Sequence, residues 1–266
     1  MLMFNVMSYY DFQQGKEGSM KIVGVIPARF ASSRFPGKPL ADIQGKPMIW
    51  WVYQQAVTVP ELDEVYVATD DIRIANTVKS FGGKVVMTSN KHPTGTDRVA
   101  EVAESIFADW YVNIQGDEPL IESETIQAVL RPVVSGESIE AVNLMTKISN
   151  PNDIINPSIV KVIVNEYNRG IYLTRGIAPF PKERVDYITY KSLGIYAFKA
   201  SALLFFKSNH RGRLECIEDI EMLRLVENGI HVRFVDVNTD SVAVDTENDL
   251  EKVRLLFNER LKKCVI

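Results

Sequence analysis

The chain has 266 residues, a formal net charge of −4 and 46% hydrophobic residues, values that are ordinary for a globular protein. A weakly negative chain has no basic field to attract nucleic acid, and no run of about 18 apolar residues is present to cross a membrane. The two cysteines, Cys216 and Cys264, lack the spacing of metal ligands, and their usage indicates a reducing, cytoplasmic compartment.

The first 19 residues are set apart from the rest of the chain. They contain no basic segment followed by a long apolar run, so they do not read as a secretory signal. Gly18 and Ser19 before Met20 resemble a cloning junction, and Met20 is an alternative natural start. We predict a disordered or peripheral leader over residues 1–19 and a single domain over residues 20–262.

Four short apolar runs, each bounded by polar residues, predict buried strands over residues 21–26, 65–69, 84–87 and 110–114. Helical patterns follow the first three runs. Alternating strands and helices are typical of an α/β fold with a doubly wound, mostly parallel sheet.

After Pro119 the pattern changes, because strand-like runs follow one another without long helices between them. We predict an antiparallel extension over about residues 139–200. Helices are then expected over residues 200–207 and 216–227, a strand over residues 230–235, and a final amphipathic helix that ends near Leu261.

The loop after the first strand, residues 27–39, carries Arg29, Arg34 and Lys38 among glycine, proline and serine. Phosphate-binding loops occur at this place in α/β folds. The spacing is neither that of a P-loop nor Gly-x-Gly-x-x-Gly. A solvated basic surface is the alternative interpretation.

Residues 89–98 form a second polar loop before a helical pattern. We expect Thr96 to cap that helix and its first N–H groups, with Arg98, to face a nucleobase or phosphate. Asp117 follows the fourth strand, where Gly116 and Pro119 break the apolar run. A carboxylate at the end of a strand suits Mg²⁺, although an acidic loop facing solvent would look the same in sequence.

Five segments occur together and in order: residues 26–40, 92–98, 115–119, 193–197 and 244–246. Together they resemble the 3-deoxy-manno-octulosonate cytidylyltransferase family, the CMP-Kdo synthetases, over about residues 20–262. The resemblance implies transfer of CMP from CTP to the anomeric C2 hydroxyl of a 3-deoxy-2-ulosonic acid with release of pyrophosphate, for lipopolysaccharide or capsule synthesis. It also implies Mg²⁺ as cofactor and a homodimer built on the antiparallel extension.

The resemblance further implies roles for individual residues. Arg29, Ser32, Arg34 and Lys38 would hold the triphosphate, with Arg29, Lys38 and Asp117 as the catalytic set. Thr94, Gly95, Thr96 and Arg98 would line the cytidine site. Asp117 and Asp245 would bind Mg²⁺. Gln115, Arg175 and Glu215 would face the sugar acid, with Ser192 and Met222 on the same side.

Two positions on the sugar side depart from the family pattern, since Ser192 replaces a usual histidine and Met222 a usual glutamine. Loss of a side chain that binds a substrate hydroxyl changes specificity. The sequence therefore leaves open another acidic sugar as acceptor, such as an amino-Kdo or a nonulosonate.

Three alternatives of another kind also stay open. The first is a non-catalytic sugar-nucleotide-binding protein on the same fold, which the intact Lys38, Asp117 and Asp245 argue against. The second is that Asp245 only begins the last helix. The third is that Glu215 and its neighbours at helical spacing form a solvated face.

Overall fold

The structure is a computed structural model that describes residues 20–31, 34–183, 187–239 and 242–264, with side chains up to residue 260. The leader predicted over residues 1–19, Ser32 and the side chain of Cys264 lie outside the described residues.

The strands follow the chain from the first apolar run to a late edge strand. They are β1 (Ile22–Ala28), β2 (Asp42–Ile43), β3 (Lys46–Pro47), β4 (Glu64–Thr69), β5 (Lys84–Met87), β6 (Trp110–Ile114), β7 (Ala141–Lys147), β8 (Lys161–Val164), β9 (Gly170–Thr174), β10 (Tyr190–Lys199) and β11 (Val232–Asp236).

The α-helices differ in length, and the longest closes the chain. They are Met48–Val57, Ile72–Ser80, Gly95–Ser105, Ser123–Ala128, Arg131–Val134, Pro151–Ile155, Ala200–Ser208, Arg213–Glu218, Leu223–Glu227 and Glu247–Cys264. A 3₁₀ turn covers Lys38–Leu40.

The main sheet of the described residues has the strand order β11-β7-β10-β6-β1-β4-β5. Strands β1, β4, β5 and β6 pair in parallel, which confirms the predicted doubly wound sheet. The order reverses between β1 and β6, because the chain first moves outward to β5 and then returns to the other side of β1. This is the switch point where open α/β sheets bind ligands, beyond the carboxyl ends of the strands.

Alternate residues of β1 enter two cores on opposite faces of the sheet. Ile22 and Ile26 pack in the core that includes the helix Met48–Val57. Val23 and Val25 pack in the other core, with residues of the helices Gly95–Ser105 and Ala200–Ser208. Burial on both faces explains why the run reads as continuously apolar.

The antiparallel part of the structure is narrower than the predicted extension over residues 139–200. Strand β7 is buried along six of its seven residues and lies inside the main sheet, where β10 separates it from β6. Only β10 runs antiparallel to its neighbours there, since β11 pairs with β7 in parallel. Strands β8 and β9 form an antiparallel hairpin to one side of the main strand order, and β8 pairs with the start of β10.

The helix predicted over residues 216–227 is broken into Arg213–Glu218 and Leu223–Glu227. The break lies at Asp219, whose φ of 52° is left-handed and cannot continue an α-helix. In the part of the chain that the structure describes, no helix is both long and apolar enough to span a bilayer.

Candidate active site

The loop after β1 is closed at its base by a backbone hydrogen bond. Gly37 N–H donates to Phe30 O at 2.8 Å, and the φ of Gly37 is 74°, a conformation that favours glycine. The 3₁₀ turn that follows begins with Lys38. Lys38 and Arg29, which follow β1, line the same pocket.

The ammonium of Lys38 lies between two carboxylates that are far apart in sequence. Its Nζ is 2.5 Å from Asp117 Oδ2 and 3.4 Å from Asp245 Oδ1. The Arg34 guanidinium also contacts Asp245, at 3.1 Å. Asp245 is positioned by the backbone before it, since Val244 N–H donates to Asp117 O at 2.8 Å and Val244 is buried beneath the last helix.

Asp117 and Asp245 both contact the Lys38 ammonium, so their arrangement indicates whether a metal ion would fit between them. Their carboxylate oxygens point to one position, which the positively charged Lys38 Nζ occupies. Among the described residues, no group of three or more His, Cys, Asp or Glu side chains could hold a metal ion. Two carboxylates completed by substrate phosphates and water are a pattern that suits Mg²⁺.

The helix Gly95–Ser105 begins with a different cap from the one predicted. Thr94, not Thr96, is the N-cap, and its hydroxyl accepts from Asp97 N–H at 3.1 Å. The N–H groups of Gly95 and Thr96 donate to the Glu221 carboxylate at 3.2 and 3.0 Å. Burial raises the pKa of Glu221, although the hydrogen bonds from Thr96 and Gly95 lower it. A carboxylate therefore already occupies the helix start that we expected to face a nucleobase or phosphate.

Arg98 lies in the first turn of this helix and is buried. Its Nη1 donates to Thr88 Oγ1 at 2.5 Å, and its Nη2 lies 3.4 Å from Asp70 Oδ1. Burial lowers the pKa of the guanidinium, while Asp70 and Glu101 raise it.

Most of the predicted nucleotide residues line one cleft, which we call the strand-end pocket. It lies beyond the carboxyl ends of β1 and β6. Its predicted members are Arg29, Arg34, Lys38, Thr94, Gly95, Arg98, Gln115, Asp117 and Asp245. Thr96 is fully buried below it, where its hydroxyl accepts from Asn113 Nδ2 at 3.2 Å.

A second cleft, the hairpin pocket, adjoins the first. It is lined by Ser158, Ile159 and Val160 before β8, by Arg175 after β9, and by residues of β10 that include Ser192. Ser192 donates its hydroxyl proton to Asn143 Oδ1 at 2.6 Å. Two of the predicted sugar-side residues, Arg175 and Ser192, thus lie together in this pocket, whereas Gln115 lies in the strand-end pocket.

Glu215 and Met222 are placed outside both pockets, which differs from the sequence prediction. Glu215 is fully buried and pairs with the Arg224 guanidinium, with both contacts at 2.7 Å. Met222 is 1% exposed and packs in the apolar core below the sheet. The left-handed turn at Asp219 separates the two short helices, and the sugar-side positions that the resemblance implied for Glu215 and Met222 do not line either pocket.

The sequence interpretation missed Glu221 and Asp219, which line both pockets, and Glu118 and Tyr196, which line the hairpin pocket. Glu118 follows Asp117 directly in its motif, so that signal was available. A second signal is Gly194, because a Cβ there would lie 2.5 Å from Glu118 Oε1. Glycine is required for this close approach.

Comparison with known proteins gives a consistent result. A family model described as cytidylyltransferase matches residues 23–237. The 3-deoxy-manno-octulosonate cytidylyltransferase of Geobacter metallireducens is 43% identical over 247 residues, which cover 88% of this chain and 96% of the relative. The protein of the same name from Thermodesulfovibrio yellowstonii is 41% identical, with coverage of 90% and 99%.

Solved structures agree with the sequence relatives. A CMP:2-keto-3-deoxy-manno-octonic acid synthetase complexed with CTP has a TM-score of 0.87 and 41% identity, and the match covers 90% of this chain and 99% of that one. A cytidylyltransferase from Leptospira borgpetersenii, at 18% identity and a TM-score of 0.62, shares the fold.

Proposed function

We propose, because the chain belongs to the 3-deoxy-manno-octulosonate cytidylyltransferase family, that it transfers CMP from CTP to a 3-deoxy-2-ulosonic acid and releases pyrophosphate. The acceptor we favour is Kdo, the substrate in the name of the relatives. The product would serve lipopolysaccharide or capsule synthesis.

The observation that carries this proposal is the adjacency of the two pockets. The strand-end pocket contains the basic side chains of Arg29, Arg34, Lys38 and Arg98 together with four acidic side chains, among them Asp117 and Asp245, a composition that suits a triphosphate with a cation. The hairpin pocket presents Arg175, whose guanidinium suits the carboxylate of a sugar acid. Glu221 and Asp219 belong to both walls, so the two ligands would meet there.

In this arrangement the side chains position the reactants and carry no covalent intermediate. The C2 hydroxyl oxygen of the sugar acid forms a bond to the α-phosphorus and gives up its proton to solvent, and the bond from the α-phosphorus to the bridging oxygen of pyrophosphate breaks. Arg29, Arg34 and Lys38 bind the leaving pyrophosphate, because fixed cations stabilise charge that develops on it. Arg175 orients the sugar acid through its carboxylate.

Cytidylyltransferases generally use a divalent metal. We assign the ion as Mg²⁺ and its protein ligands as Asp117 and Asp245, on the convergence of their oxygens at Lys38 Nζ. When bound, the ion neutralises charge on the phosphate oxygens. With the ion between Asp117 and Asp245, the Lys38 ammonium would be available to the triphosphate.

The test is pyrophosphate release from CTP and Mg²⁺ with a panel of ulosonic acids that includes Kdo. Release with Kdo and CTP supports the proposal. CTP binding without release for any acid would instead identify a non-catalytic sugar-nucleotide-binding protein.

One observation favours an acidic sugar other than Kdo as a second candidate. The Ser192 side chain is short, and its hydroxyl donates to Asn143. It therefore extends less far into the hairpin pocket than the histidine of the family pattern would. A larger or amino-bearing distal end would gain room there. Higher kcat/KM for such an analogue than for Kdo would establish it.

We also propose a homodimer built on the β8–β9 hairpin and the segment that follows it. Exposed apolar side chains support this, with Phe180 at 77% and Ile188 at 55% exposure. Apolar surface of this kind marks interaction sites. A cytoplasmic location remains a prediction from the cysteine content.

A further inference from the structure

Lys161, at the start of β8, is a fully buried lysine, and among the described residues its hydrogen-bond partners are all backbone carbonyls. Its Nζ donates to three backbone carbonyls, those of Asn156 at 2.9 Å, Ile159 at 2.8 Å and Arg175 at 2.7 Å. All three protons of the ammonium therefore have acceptors. Burial lowers the pKa of this lysine, and the Arg175 charge lowers it further, while Glu218 raises it.

The three carbonyls belong to two segments that form one wall of the hairpin pocket. Residues 158–160 line the pocket directly after Asn156 and Pro157, and Arg175 lines it from the end of β9. Lys161 does not line the pocket. It lies behind the wall and connects its two halves.

The Arg175 side chain completes this clamp from the other side. Its Nη1 donates to Pro157 O at 3.0 Å, its Nε to Glu218 O at 2.6 Å and its Nη2 to Asp219 O at 3.2 Å. The guanidinium has five N–H groups, so two remain for a ligand. Their direction depends on the Arg175 backbone, which Lys161 holds.

We infer that Lys161 is a positioning residue for the sugar acid: it fixes the backbone of Arg175 and of residues 156–160, so that the free edge of the Arg175 guanidinium meets the ligand carboxylate. This inference rests on the proposed function. A buried cation is a costly way to join two loops, and an apolar residue would serve stability alone as well. The orientation that Lys161 imposes on the pocket wall accounts for a buried lysine at this position.

The experiment compares Lys161→Met with Val162→Ala in the full chain. Methionine keeps the volume and removes all three donors. Val162 is the next residue of β8 and is 2% exposed, so its truncation destabilises the same strand without touching the carbonyls. We expect Lys161→Met to raise KM for the sugar acid about 10- to 100-fold and to leave KM for CTP within about twofold, as for a ligand group displaced by about 1 Å.

Val162→Ala should lower the melting temperature with neither KM changed, and Lys161→Gln, which keeps two donors, should give an intermediate KM for the sugar acid. Amide hydrogen exchange over residues 156–160 should be faster in Lys161→Met than in Val162→Ala. If Lys161→Met does not fold, Lys161→Gln decides the matter. Wild-type turnover with an unchanged sugar KM in the Lys161 variants overturns this inference alone, whereas no wild-type turnover with any ulosonic acid overturns the proposed function with it.

Discussion

The Nζ of Lys38 lies 2.5 Å from Asp117 Oδ2, across 79 residues of sequence and at the carboxyl ends of two neighbouring strands. The pair joins the basic loop after β1 to the acidic motif after β6. Because Asp245 contacts the same ammonium, the three groups form one ionic cluster at the switch point of the sheet.

We predict that Asp117→Asn and Asp245→Asn each lower kcat by more than about 100-fold, because each removes a charge that stabilises the transition state. Steady-state pyrophosphate release at saturating CTP and Mg²⁺ measures this. Asp153→Asn, on the helix Pro151–Ile155, is the matched control and should retain wild-type turnover. Near-normal kcat in Asp245→Asn would show that the two-carboxylate assignment is wrong.

Glu215→Gln should change stability far more than sugar affinity. The substitution leaves the Arg224 guanidinium buried with Asp97 as its remaining carboxylate, at 2.7 Å. Breaking a buried ion pair costs about 3 to 5 kcal/mol, and Asp97 keeps the cost near the lower end. Urea unfolding measures the free energy, and the exposed Glu166→Gln should stay within about 0.5 kcal/mol of wild type. A raised KM for the sugar acid with unchanged stability would contradict this prediction and support a role for Glu215 in binding the sugar acid.

Glu221→Gln should alter how stability depends on pH. Burial raises the pKa of Glu221 above its ordinary value of 4.5, so the folded state binds this proton more tightly than the unfolded state. Its stabilising contribution is complete below the ordinary pKa and is lost as the pH rises through the raised value. Glutamine does not titrate, so wild type should lose stability relative to Glu221→Gln as the pH rises above the ordinary pKa of 4.5 and through the raised pKa of the folded state. Denaturant midpoints across this range test it, and a difference that is constant with pH contradicts it.

The dimer prediction is tested by light scattering on the full chain. Phe180→Asp combined with Ile188→Asp places two charges on the exposed apolar surface and should halve the mass. Leu204→Asp, on the helix Ala200–Ser208 that follows the carboxyl end of β10, is 66% exposed and should leave the mass unchanged. A monomeric wild-type mass at micromolar concentration would remove the prediction.

Ser192→His should shift acceptor preference toward Kdo. Histidine extends into the hairpin pocket, and one hydrogen bond to substrate regained is worth about 1 to 3 kcal/mol. Competition between Kdo and an amino analogue measures the ratio of kcat/KM. Adding Met222→Gln should lower stability with no further shift, because the amide would be buried in an apolar core. Wild type that already prefers Kdo, with Ser192→His only weaker, contradicts the altered specificity.

The parallel half of the fold and its strand-end motifs were readable from the sequence for a physical reason. Strands such as β1 and β6 are covered on both faces, so they appear as unbroken apolar runs. The residues that follow them must then lie at one edge of the sheet. Asp117 and Lys38 meet there, as local pattern and sheet geometry together required.

The parts that could not be read depend on partners distant in sequence. Nothing in the local pattern of β10 specifies insertion between β6 and β7. The left-handed Asp219 is not glycine, so the break that turns Glu221 toward the helix start and buries Met222 carried no sequence signal. The sugar-side roles of Glu215 and Met222 came from the family resemblance, and the helical spacing of Glu215 suggested a solvated face instead, but both side chains are buried.

The wall formed by Asp219 and Glu221 faces both pockets, while Ser192 and residues 158–160 face only one. A substitution in the common wall would disturb the handling of nucleotide and acceptor at once. A substitution at Ser192 or in residues 158–160, which line only the hairpin pocket, would affect the acceptor alone. Among relatives that use different sugar acids, we therefore expect sequence differences to concentrate at positions that line only the hairpin pocket, and Ser192 is one of them.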